Sequence, residues 1–185
     1  MSGEVLGIMK AVSAGMKVKI NSVIMKNINE DEVIALFEFA KKHGVEIRYI
    51  EFMENSFANQ GIKGFTSDEI LTILASKYAF TQDVAQLNSP ATLYKTADGY
   101  TFGTIEPHRD DFCASCNRLR LSAEGDLIPC LYFDEALSVK EALREQDTLK
   151  AEAILKTVVQ NKPEKNRWNA IESETSSRAF YHTGG

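Results

Sequence analysis

The sequence predicts an α/β protein in two parts: a parallel strand–helix–strand start, then an α+β remainder built on antiparallel hairpins. Three observations carry this. A βαβ pattern runs from Met16 to about Met53, two hairpin patterns flank Ala97-Asp98-Gly99 and Ala123-Glu124-Gly125-Asp126, and three cysteines fall together in the second part.

Taken in order, Val5 to Gly15 has the pattern of a helix, and Met16 to Met25 the β-branched content of a buried strand. Asn29 is placed to cap a helix from Glu30 to Lys42. Its apolar residues Val33, Leu36, Phe37 and Ala40 share one face, Lys41 and Lys42 close the last turn, and Gly44 is the stop. A strand from Val45 to about Met53 follows. Strand, helix and strand in this order imply two parallel strands joined by a right-handed crossover. Parallel strands are normally buried on both faces, so this end reads as part of a larger sheet or barrel. An exposed strand edge predicts self-association, a homodimer included, or disorder over residues 1 to about 60.

After a loop at 54–64, Thr66 and Glu69 form a capping box for a helix to about Tyr78. Residues 91–96 and 100–105 make one hairpin, and 118–122 and 127–132 make another. Helical patterns resume at 138–144 and 148–159, where Ala151, Ile154, Leu155 and Val158 mark one face, and the tail from Asn161 is polar. The expected domains are 1–64 and 65–185.

Composition narrows the function. The 185 residues carry 26 acids against 21 Lys and Arg, a formal charge of −5, which argues against a broad nucleic-acid surface and leaves room for a local basic pocket. No apolar run approaches the roughly 20 residues of a membrane span, and the start has no basic leader, so a cytoplasmic protein is expected. Three cysteines cannot all pair, and in that setting their spacing is read for metal first.

Cys113, Cys116 and Cys130 form C-x2-C-x13-C. The first two share a tight turn and the third returns on the far strand of a hairpin, so three thiolates can converge on one centre. Zinc would want a fourth ligand, for which His108 is the nearest candidate, whereas an iron–sulfur cluster on three thiolates leaves one iron open. Buried, unliganded thiols are the plain alternative. Arg118 and Arg120 directly follow and, in an extended strand, point to one side, a pair suited to phosphate or carboxylate, with solvated surface arginines as the alternative. In the first strand Lys19 and Asn21 share the face opposite Val18 and Ile20. That face would be a barrel lumen, unless Lys19 snorkels to solvent. Arg48 invites the same reading, with a salt bridge to Glu46 or Glu51 as its rival.

On these residues the chain resembles the carboxy-terminal half of the GTP 3′,8-cyclase family, radical S-adenosylmethionine enzymes of molybdenum-cofactor biosynthesis (the molybdenum-cofactor biosynthesis protein A family). The likeness covers nearly the whole chain. It rests on Val18-Lys19-Ile20-Asn21-Ser22-Val23, Glu46 to Met53, Phe112-Cys113-Ala114-Ser115-Cys116-Asn117-Arg118-Leu119-Arg120-Leu121, Gly125 to Leu131 and the terminal Gly184-Gly185. The resemblance implies the last two units of an incomplete (βα)6 barrel, then a domain with a 4Fe-4S cluster on Cys113, Cys116 and Cys130 whose open iron takes the guanine of GTP. It implies that Lys19, Arg48, Arg118, Leu119 and Arg120 help hold GTP, that Met53 contacts S-adenosylmethionine, and that the Gly184-Gly185 tail enters the site.

The reaction so implied is a radical one, in which a 5′-deoxyadenosyl radical takes the 3′ hydrogen of GTP and C3′ bonds to C8. Met53 has the opposite strand parity to Arg48, so the strand must end or bulge before it, and Thr183 stands where the family usually has an apolar residue. The family's C-x3-C-x2-C motif, which holds a second 4Fe-4S cluster, does not occur in this sequence. The chain is therefore expected to lack the amino-terminal barrel half and to be inactive alone. The rivals are a zinc-stabilised binding module and the auxiliary-cluster domain of another radical enzyme.

Overall fold

The computed structural model describes residues 3–53, 61–84, 89–109, 112–113, 116–131 and 135–162. The described residues fall into two compact units, one from Met1–Met53 and Gly61–Pro107, the other from His108 onward.

In the first unit α1 (Gly3–Ser13) leads to β1 (Lys19–Val23), a 3-10 turn (Glu30–Glu32), α2 (Val33–Lys42), β2 (Glu46–Ile50) and α3 (Ser67–Ala75). Three further strands follow, β3 (Phe80–Gln82), β4 (Thr92–Thr96) and β5 (Thr101–Ile105). The five strands form one sheet in the order β1-β2-β5-β4-β3. The expected βαβ unit is present: β1 runs parallel to β2, with Lys19 beside Glu46 and Asn21 beside Arg48.

Helix α2 buries Val33, Phe37 and Ala40 and leaves Glu38 outside. Gly44, at φ +66°, ends it in the left-handed conformation that a side chain resists. Ile47 and Tyr49 of β2 face the helices and are fully buried. The Tyr49 hydroxyl donates to the Val33 carbonyl at 2.8 Å, and burial, reinforced by Tyr100, pushes this phenol far above its ordinary pKa. Phe37 is the hub of the core, its ring 4.7 Å from Tyr78, 5.3 Å from Tyr100 and 5.2 Å from Phe102. Thr66 and Glu69 close the expected capping box on α3.

Several expectations are corrected. Strand β1 is not a buried strand: it lies at the sheet edge with Lys19 and Asn21 exposed, and no residue of it is fully buried. Asn29 does not cap the following helix. Its amide is taken by the preceding strand end, accepting from the Met25 N–H at 2.7 Å and donating to the Val23 carbonyl at 3.0 Å. The first hairpin is not a separate antiparallel region, because β5 docks parallel to β2, with Gly103 beside Arg48 and Thr104 beside Tyr49. That docking brings Phe102 onto Phe37. Strand β3 was not legible in a segment as short as Phe80–Gln82.

In the second unit β6 (Arg120–Leu121), β7 (Asp126–Ile128) and β8 (Leu137–Ser138) form a small antiparallel sheet, followed by α4 (Lys140–Arg144) and α5 (Thr148–Gln160). The second hairpin is shorter than expected, and Ser138 belongs to a strand rather than to the start of a helix. Gly125 turns the β6–β7 hairpin at φ +93°, and a Cβ there would sit 2.9 Å from that of Lys140. Helix α5 packs on β7 and β8 and buries Val158; Leu155 of the expected apolar face stays exposed.

Two outcomes test this packing. Phe37→Ala should lower the unfolding free energy by about 3–5 kcal/mol, read by urea denaturation, since a fully buried aromatic hub is removed. Asp98 is held down to about 2 by hydrogen bonds from the Lys41 ammonium and then the Thr96 hydroxyl, each at 2.6 Å. Because the folded pKa is depressed, this stabilisation is present above the unfolded value and is lost as pH falls through about 2. NMR titration should show the Asp98 carboxyl moving back toward 3.8 in Lys41→Met.

Candidate functional site

The residues singled out from the sequence form two groups, one in each unit.

In the first unit, side-chain parity along β1 and β2 puts Lys19, Asn21, Glu46 and Arg48 on the sheet face opposite the helix-covered core. The rivalry over Arg48 resolves to Glu46: its Oε1 accepts from Arg48 Nε at 2.6 Å and lies 3.7 Å from Lys19 Nζ. Glu51 is engaged elsewhere, accepting from the Ser67 N–H at 2.7 Å at the start of α3. Arg48 is largely covered, at 13% side-chain exposure against 39% for Lys19, so the carboxylate between them offsets a cation with little access to water. Strand β2 ends at Ile50, as the parity of Met53 requires, and Met53 lies three residues past the strand, partly exposed.

In the second unit, the Cys116 N–H donates to the Cys113 carbonyl at 3.1 Å, which confirms the tight turn. Cys113, Cys116 and Cys130 are all partly buried and none is in a disulfide. Burial works against ionisation of the Cys116 thiol, but hydrogen bonds from the Arg118 backbone N–H and guanidinium, with the charges of Arg118 and Lys162, outweigh it and hold the thiol below its ordinary value. Arg120 is close enough to feel both Cys116 and Cys130: burial and Arg118 lower its pKa, while the two sulfurs raise it.

Strand β6 begins only at Arg120, so Arg118 and Leu119 precede it and the expected strand alternation does not align the two arginines. Arg118 is instead stacked over Phe112, 5.3 Å from the ring centroid. Leu119 is partly buried beside them. Gly184 and Gly185 lie outside the described residues.

In donor chemistry the three cysteines fit an iron–sulfur cluster: three thiols of one unit, none of them in a disulfide, with basic side chains near them in the chain. Their convergence is incomplete. Among the described residues no three His, Cys, Asp or Glu side chains are gathered to hold a metal ion. His108, the candidate fourth zinc ligand, is exposed and joins no such group.

Three features of the site escaped sequence reasoning. Glu46 tethers Lys19 as well as Arg48, Phe112 seats Arg118, and Lys162 reaches the cysteine hairpin by donating to the Arg118 carbonyl at 2.9 Å and the Pro129 carbonyl at 2.7 Å. Cross-strand register could have shown the first; nothing local signals the third.

Residues 45–168 match the Molybdenum Cofactor Synthesis C family. The chain is 52% identical over 179 residues to a GTP 3′,8-cyclase of Sulfurimonas denitrificans, covering 97% of this chain and 56% of that protein. It is 55% identical over 184 residues to the Campylobacter curvus protein of the same name, covering 98% and 57%, and 55% identical over 179 residues to that of Campylobacter jejuni subsp. jejuni serotype O:6, covering 97% and 56%. The chain thus spans little more than half the length of the curated relatives it matches.

The pairing across β1 and β2 has a measurable consequence. Glu46→Ala leaves the covered Arg48 guanidinium without its carboxylate and should cost about 1–3 kcal/mol of unfolding free energy, whereas Lys19→Ala, at the more exposed end, should cost less than about 1 kcal/mol. Urea denaturation of the two variants checks the difference.

Proposed function

Because the chain belongs to the Molybdenum Cofactor Synthesis C family, we propose that it is the carboxy-terminal part of a GTP 3′,8-cyclase, a lyase of molybdenum-cofactor biosynthesis that binds GTP and prepares it for radical cyclisation. In this reading residues 1–64 are the end of a partial (βα)6 barrel. Residues 65–185 are the cluster and GTP domain, of which residues 65–107 pack in the same compact unit as the barrel end. The observation that carries the reading is the company of the thiols: Cys113 and Cys116 share a hydrogen-bonded turn, Arg118 two residues on is seated on Phe112, and Lys162 donates to the carbonyls of Arg118 and of Pro129 beside Cys130.

Cys113, Cys116 and Cys130 would hold a 4Fe-4S cluster. When bound, such a cluster supplies an iron with a vacant position that can take the guanine base. The chain's own residues do the rest by charge and placement. Arg118 and Arg120 offer guanidinium forks to the triphosphate, and Leu119, Lys19 and Arg48 are the further residues assigned to GTP in this reading. Met53 contacts S-adenosylmethionine, and the Gly184-Gly185 tail enters the site. Holding C3′ near C8 is a positioning task, and it calls for no acid–base pair.

The sequence contains only three cysteines, all assigned to this cluster. The C-x3-C-x2-C motif that would hold the second 4Fe-4S cluster and cleave S-adenosylmethionine must come from the amino-terminal barrel half. This chain alone then binds without turning over, in the cytoplasm, and the bare β1 edge favours its self-association as a homodimer.

Anaerobic reconstitution with iron and sulfide followed by GTP titration is the test. A brown chain with stoichiometric iron and sulfide that binds GTP is expected, with Arg118→Ala/Arg120→Ala weakening GTP binding by about 10-fold or more, as the loss of charge-assisted hydrogen bonds requires. Colourless stoichiometric zinc would establish a zinc module instead. An iron–sulfur chain indifferent to GTP would point to another radical enzyme.

A further inference from the structure

We propose that Lys162 is a positioning residue for the three-thiol site, bridging the Arg118 and Pro129 carbonyls so as to fix the spacing between the arm carrying Cys113 and Cys116 and the arm carrying Cys130. The proposal deepens the reading of these cysteines as cluster ligands and rests on it.

The need for such a bridge follows from where the sheet stops. The β6–β7 ladder pairs Leu121 with Leu127 and Arg120 with Ile128, and there it ends. Cys130 lies two residues beyond Ile128 and Cys116 four residues before Arg120, so both sit past the last strand pair. Two chain arms that leave a hairpin end without cross-strand hydrogen bonds are free to splay.

The Lys162 ammonium closes that open end. It donates to the Arg118 carbonyl at 2.9 Å, two residues after Cys116, and to the Pro129 carbonyl at 2.7 Å, immediately before Cys130. One charged group thus takes the place of the missing ladder rungs.

The lysine is rooted rather than loose. Its backbone N–H donates to the Val159 carbonyl at 3.2 Å, continuing the end of α5, and the adjacent Val158 is buried, 2% exposed, where α5 packs on β7 and β8. A lysine after a helix usually serves the carbonyls of its own last turn. Here both acceptors belong to the cysteine hairpin, 44 and 33 residues away in sequence.

The test separates spacing from cluster binding. In a Cys113→Ser background the only thiols are Cys116 and Cys130, and their bridging by dibromobimane in the reduced, metal-free chain reports the distance between the arms. Lys162→Met should slow bridging severalfold with an unchanged thermal midpoint, and Lys162→Arg, which can still donate to two carbonyls, should restore it. Lys156→Met, which loses only a surface partner of Glu152, should match the parent and controls for charge. With all three cysteines present, Lys162→Met should lose reconstituted iron to a chelator about 10-fold more readily than the parent, in the range typical of outer-shell partners.

Equal bridging and equal iron retention in Lys162→Met would overturn the proposal, as would failure of Lys162→Arg to recover either. A parent that takes up no iron and sulfide would overturn the cluster reading, while the bridging rates would still decide the positioning role. Should Lys162→Met not fold, Lys162→Gln, which keeps one donor group, gives the same comparison.

Discussion

The first unit depends on a constraint within one strand: β2 has to serve a dry core and a charged surface in alternate residues. Ile47 and Tyr49 are fully buried under α2 and α3, while Glu46 and Arg48 project to the other side. The period of two makes both assignments at once, and a slip of one residue would bury the ion pair and expose the core. Everything else in the unit takes its register from this strand. Lys19 meets Glu46 because β1 is aligned to β2, and Phe102 reaches Phe37 because β5 is aligned to the other edge.

The second unit solves a harder problem with less material. Its sheet has strands of two or three residues, too short to impose geometry on the segments that leave it. Order at the cysteine end comes from side chains instead: Phe112 under Arg118, Arg118 on Cys116, and Lys162 across the two arms. Such contacts position functional groups without a thick core. They also make the site depend on a few polar atoms, so that single substitutions act on its geometry rather than on the fold.

What could be read in the sequence follows this division. Helix α2, the capping box of α3, the βαβ unit and the turn glycines each have a local cause, in apolar spacing, a side chain three residues on or a positive φ, and each was legible. The C-x2-C turn was legible as well, whereas the seating of Arg118 outside β6 was not. Asn29 misled because a capping residue can turn back to satisfy the strand behind it, and β3 was hidden because three residues carry no period. The parallel docking of β5 and the reach of Lys162 are contacts between distant parts of the chain, and no window along the sequence contains both partners. The family resemblance proposes roles for the cysteines and basic residues, which spacing alone left open between zinc, iron–sulfur and inert thiols.

Placing β5 directly beside β2 has a consequence for how the chain acquires its form. Fifty residues lie between Ile50 and Thr101, yet these two end in adjacent strands of one sheet. Closing so wide an excursion costs chain entropy before any of the new contacts repay it. On the ribosome the first βαβ segment can form early, but its sheet stays open along the β2 edge until residue 105 has emerged. Through that interval the nascent protein presents a bare parallel strand, and its own late-made hairpin must reach that strand before a neighbouring polypeptide does.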